Sequence, residues 1–264
     1  MIERRIRPIL RRQGRLEDEA AREVLRLLRA TRRSVLGEFA RATAFGRFRL
    51  SALLEEIDRA IAATRGEAET TAARSTRLSW DLGRDLADVP LGQRARGIEG
   101  LSQELLQAAI KVTTTQLTDV WNELGAKLKG VIRRTTLGVD DPFKAMQVLS
   151  KSISDPKTFG RTETRAEVIV RTEVNRTFSL STQTRLGQAA DAGVTVKKYW
   201  LTAGDRRVRP SHVQAGKDYG PANAIPHDKP FIVGGEKLMF PLDPRGSAEE
   251  TIACRCVSVP QVSG

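Results

Sequence analysis

Apolar residues recur through the first two thirds of the chain at helical spacing, set among long runs of charged side chains. Val24, Leu28, Val35 and Phe39 follow a 3.6-residue repeat between Arg and Glu residues, which predicts a helix from Leu16 onward. Leu50, Leu53, Leu54, Ile57 and Ile61 predict a second helix, continuing through an Ala/Thr/Arg stretch to Leu86. The run Asp88-Val89-Pro90-Leu91-Gly92 reads as its break. Before these helices, Pro8 argues against one continuous helix from Met1. A third helix is expected from Leu101 to Arg134, with Leu105, Ile110, Val112, Leu117, Val120, Leu124 and Leu128 on its buried side. Gly138 reads as its stop. Asp141-Pro142 then supplies an N-cap and a first helical residue for a short helix from Phe143 to about Ser152. Asp155-Pro156 reads as a turn, and a last long helix is expected from Thr162 to Ala190, burying Val170, Val174 and Phe178.

The pattern changes after Gly193. Val194 to Trp200 alternates like a strand, and Gly and Pro then crowd the chain, leaving short apolar pieces at Phe231-Ile232-Val233 and Leu238-Met239-Phe240. The expected fold is mainly α, with long N-terminal helices in a bundle or hairpin and a compact, Gly/Pro-rich C-terminal α+β domain. The expected divisions are a basic arm over residues 1–15, a helical domain over 16–160 and a C-terminal domain over 161–264.

Charge narrows the class of partner. The chain has 264 residues, a net charge of +12 and a sequence pI near 10.3, which point to an anionic partner. Residues 1–50 carry 14 Arg against 6 acidic residues, a net of +8, and the first Lys is Lys111. Arg4, Arg5, Arg7, Arg11, Arg12 and Arg15 form the basic arm, a candidate contact for nucleic acid or for an acidic protein surface. The bland reading is a solvated helix face paired with acidic neighbours, such as Asp18 with Arg22 and Glu23 with Arg26. No base-reading motif is present, so any nucleic-acid binding is expected to be sequence-independent. The first residues lack the apolar core of a secretory signal, and no apolar run has the ~18–20 residues of a membrane span. Synthesis and folding in a bacterial cytoplasm are therefore expected.

Candidate chemistry is confined to the C-terminal third. Trp200, Asp205, Arg209 and His212 stand close in sequence, followed by Pro241-Leu242-Asp243-Pro244 and by Cys254-Arg255-Cys256, which holds both cysteines of the chain. Two cysteines two residues apart in an extended segment face the same way, too far apart for an unstrained disulfide. They suit a soft cation such as Zn²⁺, with His212 as third ligand and Asp205, Asp243 or His227 as fourth. The alternative is a pair of buried thiols beside a hydrogen-bonded histidine, with no metal. Asp205 is also a turn cap, Arg209 a partner for Glu249 or Asp243, and Trp200 core beneath the site. No enzyme is expected. An Arg-Thr-Glu triplet before a small α+β domain invites an ADP-ribosyltransferase reading, but no Gly-rich phosphate loop, HExxH or GxSxG is present.

The residues Arg171-Thr172-Glu173-Val174-Asn175-Arg176, Trp200, Asp205, Arg207-Val208-Arg209, Ser211-His212, Gly216, Phe231, Pro241-Leu242-Asp243-Pro244, Glu249 and Cys254-Arg255-Cys256 resemble the Mu F-like phage head morphogenesis family. The resemblance covers roughly residues 165–258. It implies a minor head protein of a tailed phage or prophage, carried in the virion after assembly in the bacterial host. It further implies association with the portal and other head proteins, and a part in DNA packaging or ejection. The family's signature falls on Asp205, Arg209, His212, Asp243, Cys254, Arg255 and Cys256, with no catalytic role attached. Ala253 stands where relatives often carry a polar residue, which bears on a turn or capping hydrogen bond. The rival readings are a non-specific nucleic-acid-binding protein and a phage-encoded enzyme using the C-terminal cluster.

Overall fold

The computed structural model describes residues 2–41, 47–136 and 156–262. Its long helices are α1 (Ile2–Arg41), α2 (Arg47–Leu91), α3 (Gln103–Thr136) and α4 (Pro156–Asp191). The Gly138 stop and the short helix expected after Asp141-Pro142 lie outside the described residues.

Pro8 stands inside α1, contrary to the expectation that it would interrupt a helix from the first residues. Proline in a helix interior costs about 3 kcal/mol through a lost hydrogen bond and a ring clash. What the first turns bury offsets this, since Ile6, Gln13 and Glu17 are all inaccessible while Pro8 itself faces solvent. Gln13 donates to Asn175 Oδ1 at 3.0 Å, and Ser79 donates to Gln13 Oε1 at 3.1 Å. The helix is held by its partners rather than by local propensity.

α2 runs five residues past the expected Leu86, with Pro90 inside it, and stops at Leu91, where Gly92 (φ +58°) leads into a 3-10 turn, Gly92–Gly97. Arg185 of α4 fixes that turn, donating to the carbonyls of Ala95 (3.0 Å) and Glu99 (2.7 Å) and pairing with Asp88 at 2.7 Å. α3 buries Leu106, Leu117, Val120, Trp121, Leu124 and Leu128. Leu105 and Val112, expected inside, are 41% and 45% exposed. Leu106 and Thr113, one residue on in each case, are the buried ones. A cluster of apolar residues leaves the phase uncertain by one position, about 100° of rotation. α4 begins at Pro156, ahead of the expected Thr162. Proline suits a first helical turn, where its missing N–H has no partner to lose.

The chain divides into two compact units, and all the dividing points fall inside long helices. One unit comprises Ala20–Ala73 and Val112–Ile169. Its core includes Val24, Leu28, Ile57, Leu117 and Trp121. A polar node sits among them: Thr31 Oγ1 lies 2.7 Å from Thr64 Oγ1, which accepts the Trp121 indole N–H at 3.2 Å.

The other unit comprises Met1–Glu19, Arg74–Lys111 and Val170–Gly264. Here Ile6, Leu82, Leu86, Phe178, Tyr199 and Val259 form one cluster. Gly83 lets α2 approach α4 closely: a Cβ there would meet the Phe178 carbonyl oxygen at 2.3 Å and Ser181 Cβ at 2.9 Å. Thr182 donates to the Gly83 carbonyl at 3.0 Å across the same contact. After Gly193 (φ +83°) comes β1 (Val196–Leu201), the centre of an antiparallel sheet ordered β2-β1-β5, with β2 at Ile225–Pro226 and β5 at Val257–Val262. Pro260 is tolerated in β5 because that strand is an edge. β3 (Phe231–Val233) and β4 (Glu236–Leu238) form a hairpin. Its two-residue turn is Gly234-Gly235, both at positive φ, as a type I′ turn requires.

Candidate functional site

Helix α5 (Pro210–Asp218) follows β1, and Pro210 pre-sets its first turn. It carries His212 inward, 1% exposed. Helix α6 (Ala248–Thr251) precedes the cysteines and is capped by Ser247, whose side chain accepts the Glu250 N–H. Ala253 then takes φ +55°, and its N–H donates to Thr172 Oγ1 at 3.0 Å. This left-handed residue turns the chain so that Cys254 and Cys256 both reach His212. The Nδ1 of His212 lies 3.3 Å from Cys256 Sγ and 3.4 Å from Cys254 Sγ. Both thiols are free and buried.

The other ring nitrogen, Nε2, lies 2.9 Å from Glu250 Oε2, and that oxygen also accepts from Ser211 Oγ at 2.9 Å. Glu250 is a residue the sequence reasoning missed in favour of Glu249. The signal was there: Ser247 and Glu250 have the spacing of a capping box. The helix phase turns Glu249 to solvent and Glu250 inward, where it meets His212 instead of its own cap. The hairpin turn makes room for it, since a Cβ on Gly234 would meet Glu250 Oε1 at 2.1 Å.

The two sulfurs titrate as a pair. Their mutual hydrogen bond, with burial second, holds the Cys254 thiol well above its usual range. The same bond pulls Cys256 down to about 5, helped by His212 and by the Trp200 indole. Trp200 is 1% exposed and packs edge-on to His212 at 5.4 Å and to Phe231 at 5.2 Å, which makes it core beneath the site as expected. Its buried indole N–H has no nitrogen or oxygen partner. Lys198 lies close by on β1, fully buried, donating to Gln183 Oε1 at 3.1 Å and to the Met239 carbonyl at 2.6 Å. Burial lowers it to about 7.

The remaining signature residues brace this segment. Asp205 accepts the Arg207 N–H at 2.9 Å, as a turn cap should, and is gripped by Arg255 through both guanidinium arms at 2.6 and 2.7 Å. The Arg255 fork holds its carboxyl well below the usual range. Its carboxylate is thus spent on Arg255, and among the described residues the potential metal-holding group is His212, Cys254 and Cys256, whose ligand atoms lie within 4.8 Å of one another. The Asp243 carboxylate accepts the Met239 N–H at 2.7 Å and is held by Arg245 at 2.6 Å. Neither Asp243 nor His227 joins the group. Arg209 does not pair with Glu249 or Asp243; it donates to the Ile252 carbonyl at 2.5 Å, closing the loop just before the cysteines.

Residues 171–176 act as a bracket. Arg171 pairs with Glu17 (2.8 Å) and Asp18 (2.7 Å), so Asp18 does not serve Arg22 as expected. Asn175 donates to Glu17 at 2.7 Å, Glu173 pairs with Arg176, and Arg176 donates to the Leu242 carbonyl at 3.0 Å. Glu23 does pair with Arg26, at 2.7 Å.

Arg4, Arg5, Arg7, Arg11, Arg12 and Arg15 are all exposed. At about 100° per residue they fall within an arc of roughly 160° on α1, opposite the arc that buries Ile6, Gln13 and Glu17.

Residues 138–259 match the model of the Phage Mu protein F like family. The bracket's Arg171–Arg176 stretch, the α5 histidine and both cysteines all fall within this Mu F-like segment. A curated relative, the NAD(+)--arginine ADP-ribosyltransferase EFV of Enterococcus faecalis, is 33% identical over 97 residues. The match spans 36% of this chain and 18% of that protein. No solved structure gives a significant match. No described helix is long and apolar enough to cross a membrane.

Proposed function

We propose that the chain is a minor head protein of a tailed phage or prophage, associating with the portal and acting in head assembly and in DNA packaging or genome delivery. The match of residues 138–259 to the Mu F-like family carries this reading. The exposed arginine face of α1 supports it, because a one-sided cationic helix suits packaged DNA or an acidic portal surface. Contacts of that kind are sequence-independent and salt-sensitive.

The enzymatic name of the E. faecalis relative supports no activity here, since the shared part is under a fifth of that protein. The Arg171-Thr172-Glu173 triplet also favours a structural part, because its side chains are occupied in the bracket around Glu17, Asp18, Arg176 and the Ala253 N–H.

The deciding experiment assembles heads in the host from portal, scaffold and this chain, and assays purified particles by immunoblot. The chain is expected in portal-containing particles and missing from portal-less ones. Its absence from both would sink the proposal. Changing the six arginines to Gln is expected to weaken either incorporation or DNA binding by the free chain. Loss of salt-dependent DNA binding with normal incorporation assigns the face to DNA; the reverse assigns it to protein.

A further inference from the structure

We propose that His212 Nδ1, Cys254 Sγ and Cys256 Sγ bind one Zn²⁺-type soft cation, with Glu250 as the carboxylate that orients the histidine. The inference is independent of the head-protein reading.

Distance is the first support. In a tetrahedral zinc site, metal–sulfur bonds of about 2.3 Å and metal–nitrogen bonds of about 2.0–2.1 Å place nitrogen and sulfur about 3.5 Å apart. His212 Nδ1 stands 3.3 and 3.4 Å from the two sulfurs, nearly equidistant. A histidine serving as donor to one thiol would have no reason to face both.

Proton placement is the second. Glu250 Oε2, already receiving the Ser211 hydroxyl, takes its second bond from Nε2–H. The neutral ring then presents a lone pair at Nδ1, aimed between two sulfurs. A carboxylate on the far nitrogen is the usual outer partner of a metal-binding histidine, fixing ring tautomer and orientation. The carboxylate is held by the Ser211 hydroxyl and packs against Gly234.

The third support is the surroundings of the sulfurs. The Cys256 N–H points to Cys254 Sγ at 3.4 Å, and the buried Trp200 indole N–H finds no nitrogen or oxygen acceptor. Donors left for sulfur suit metal-bound thiolates, which keep negative charge in the interior. Two thiolates and one imidazole select a borderline-soft ion over Mg²⁺ or Ca²⁺. Three protein ligands leave the fourth position of a tetrahedral site open. With His212, Cys254 and Cys256 at 1%, 2% and 4% exposure, the ion would act as a cross-link between α5 and the 254–256 segment.

The test uses the full chain, purified without chelator from zinc-supplemented medium. Elemental analysis is expected to give about one zinc per chain, lost when a mercurial blocks the thiols. Co²⁺ added to metal-free protein is expected to give a thiolate-to-metal charge-transfer band and the intense visible bands of four-coordination. No stoichiometric zinc together with no charge-transfer band overturns the proposal, and this needs no variant to fold. Cys254→Ser/Cys256→Ser is expected to abolish the band; zinc retained by that variant would mean adventitious binding elsewhere and equally overturns it. Glu250→Gln keeps every ligand and is expected to weaken zinc affinity by about 10–100-fold. Unchanged affinity would remove Glu250 from the site.

Discussion

Arg255 holds Asp205 with both arms of its guanidinium, at 2.6 and 2.7 Å, across fifty positions of chain. The fork ties the residue between the two cysteines to the turn that precedes α5. A bidentate geometry of this kind is lost with Lys. Arg255→Lys is therefore expected to lower the thermal midpoint, and the gap from wild type should shrink in high salt because Asp205 is exposed to solvent. The depressed Asp205 pKa gives the acid side its sign. The pair's stabilisation is complete above the unfolded carboxylate range and fades as pH falls toward the folded value. Salt-dependent melting of the two proteins, at neutral and acid pH, measures both effects.

Ala253 occupies the left-handed region at φ +55°. That conformation costs an ordinary residue about 1–2 kcal/mol and is tolerated best by Asn, Asp and Gly. Ala253→Asn is expected to stabilise the protein by about 1 kcal/mol, read as a higher denaturation midpoint. An unchanged or lower midpoint would mean the added amide disturbs the Thr172 contact.

Gly83 allows a close approach of α2 to α4 within their unit, with the Phe178 carbonyl 2.3 Å from where a Cβ would stand. The obstacle is backbone, which cannot swing aside. Gly83→Ala should cost about 1–3 kcal/mol despite its gain in helix propensity, since overpacking outweighs that gain. Urea denaturation checks the sign.

Lys198 is the buried cation of the C-terminal sheet, lowered to about 7 by burial and set 5.1 Å from the Phe231 ring centroid. Its folded pKa lies below the unfolded lysine value of about 10.4. Between those two values the unfolded chain binds the extra proton, so stability rises with pH from about 7 upward. Below that range both states are protonated and the full burial cost applies. Lys198→Met should flatten this rise, and the difference between variant and wild type across pH 6 to 10 isolates it from the cysteines.

The helices were legible because their apolar repeat is long. Val24, Leu28 and Val35, like Val170, Val174 and Phe178, are buried as their spacing requires. Pro8 misled because local propensity cannot see Asn175, which lies far along the chain and binds Gln13. Leu105 and Val112 misled because adjacent apolar residues leave helix phase open. In the C-terminal segment residue types pointed to His212, Cys254 and Cys256, which the fold does bring together. Glu250 escaped notice because only the capping of α6 by Ser247 decides which of two adjacent glutamates turns inward. Arg185 escaped because its partners are mostly backbone carbonyls, which sequence does not mark.

The compact unit that holds the Mu F-like cysteines also holds Met1–Glu19. A ribosome makes those first turns roughly 150 residues before Val170 exists, which at 5–20 residues per second is about eight to thirty seconds. Ile6, Gln13 and Glu17 wait through that interval for Phe178 and Asn175, and the helix that lines up the arginines waits with them. The arginine face of α1 therefore takes its final one-sided form only once Val170–Gly264 has been made.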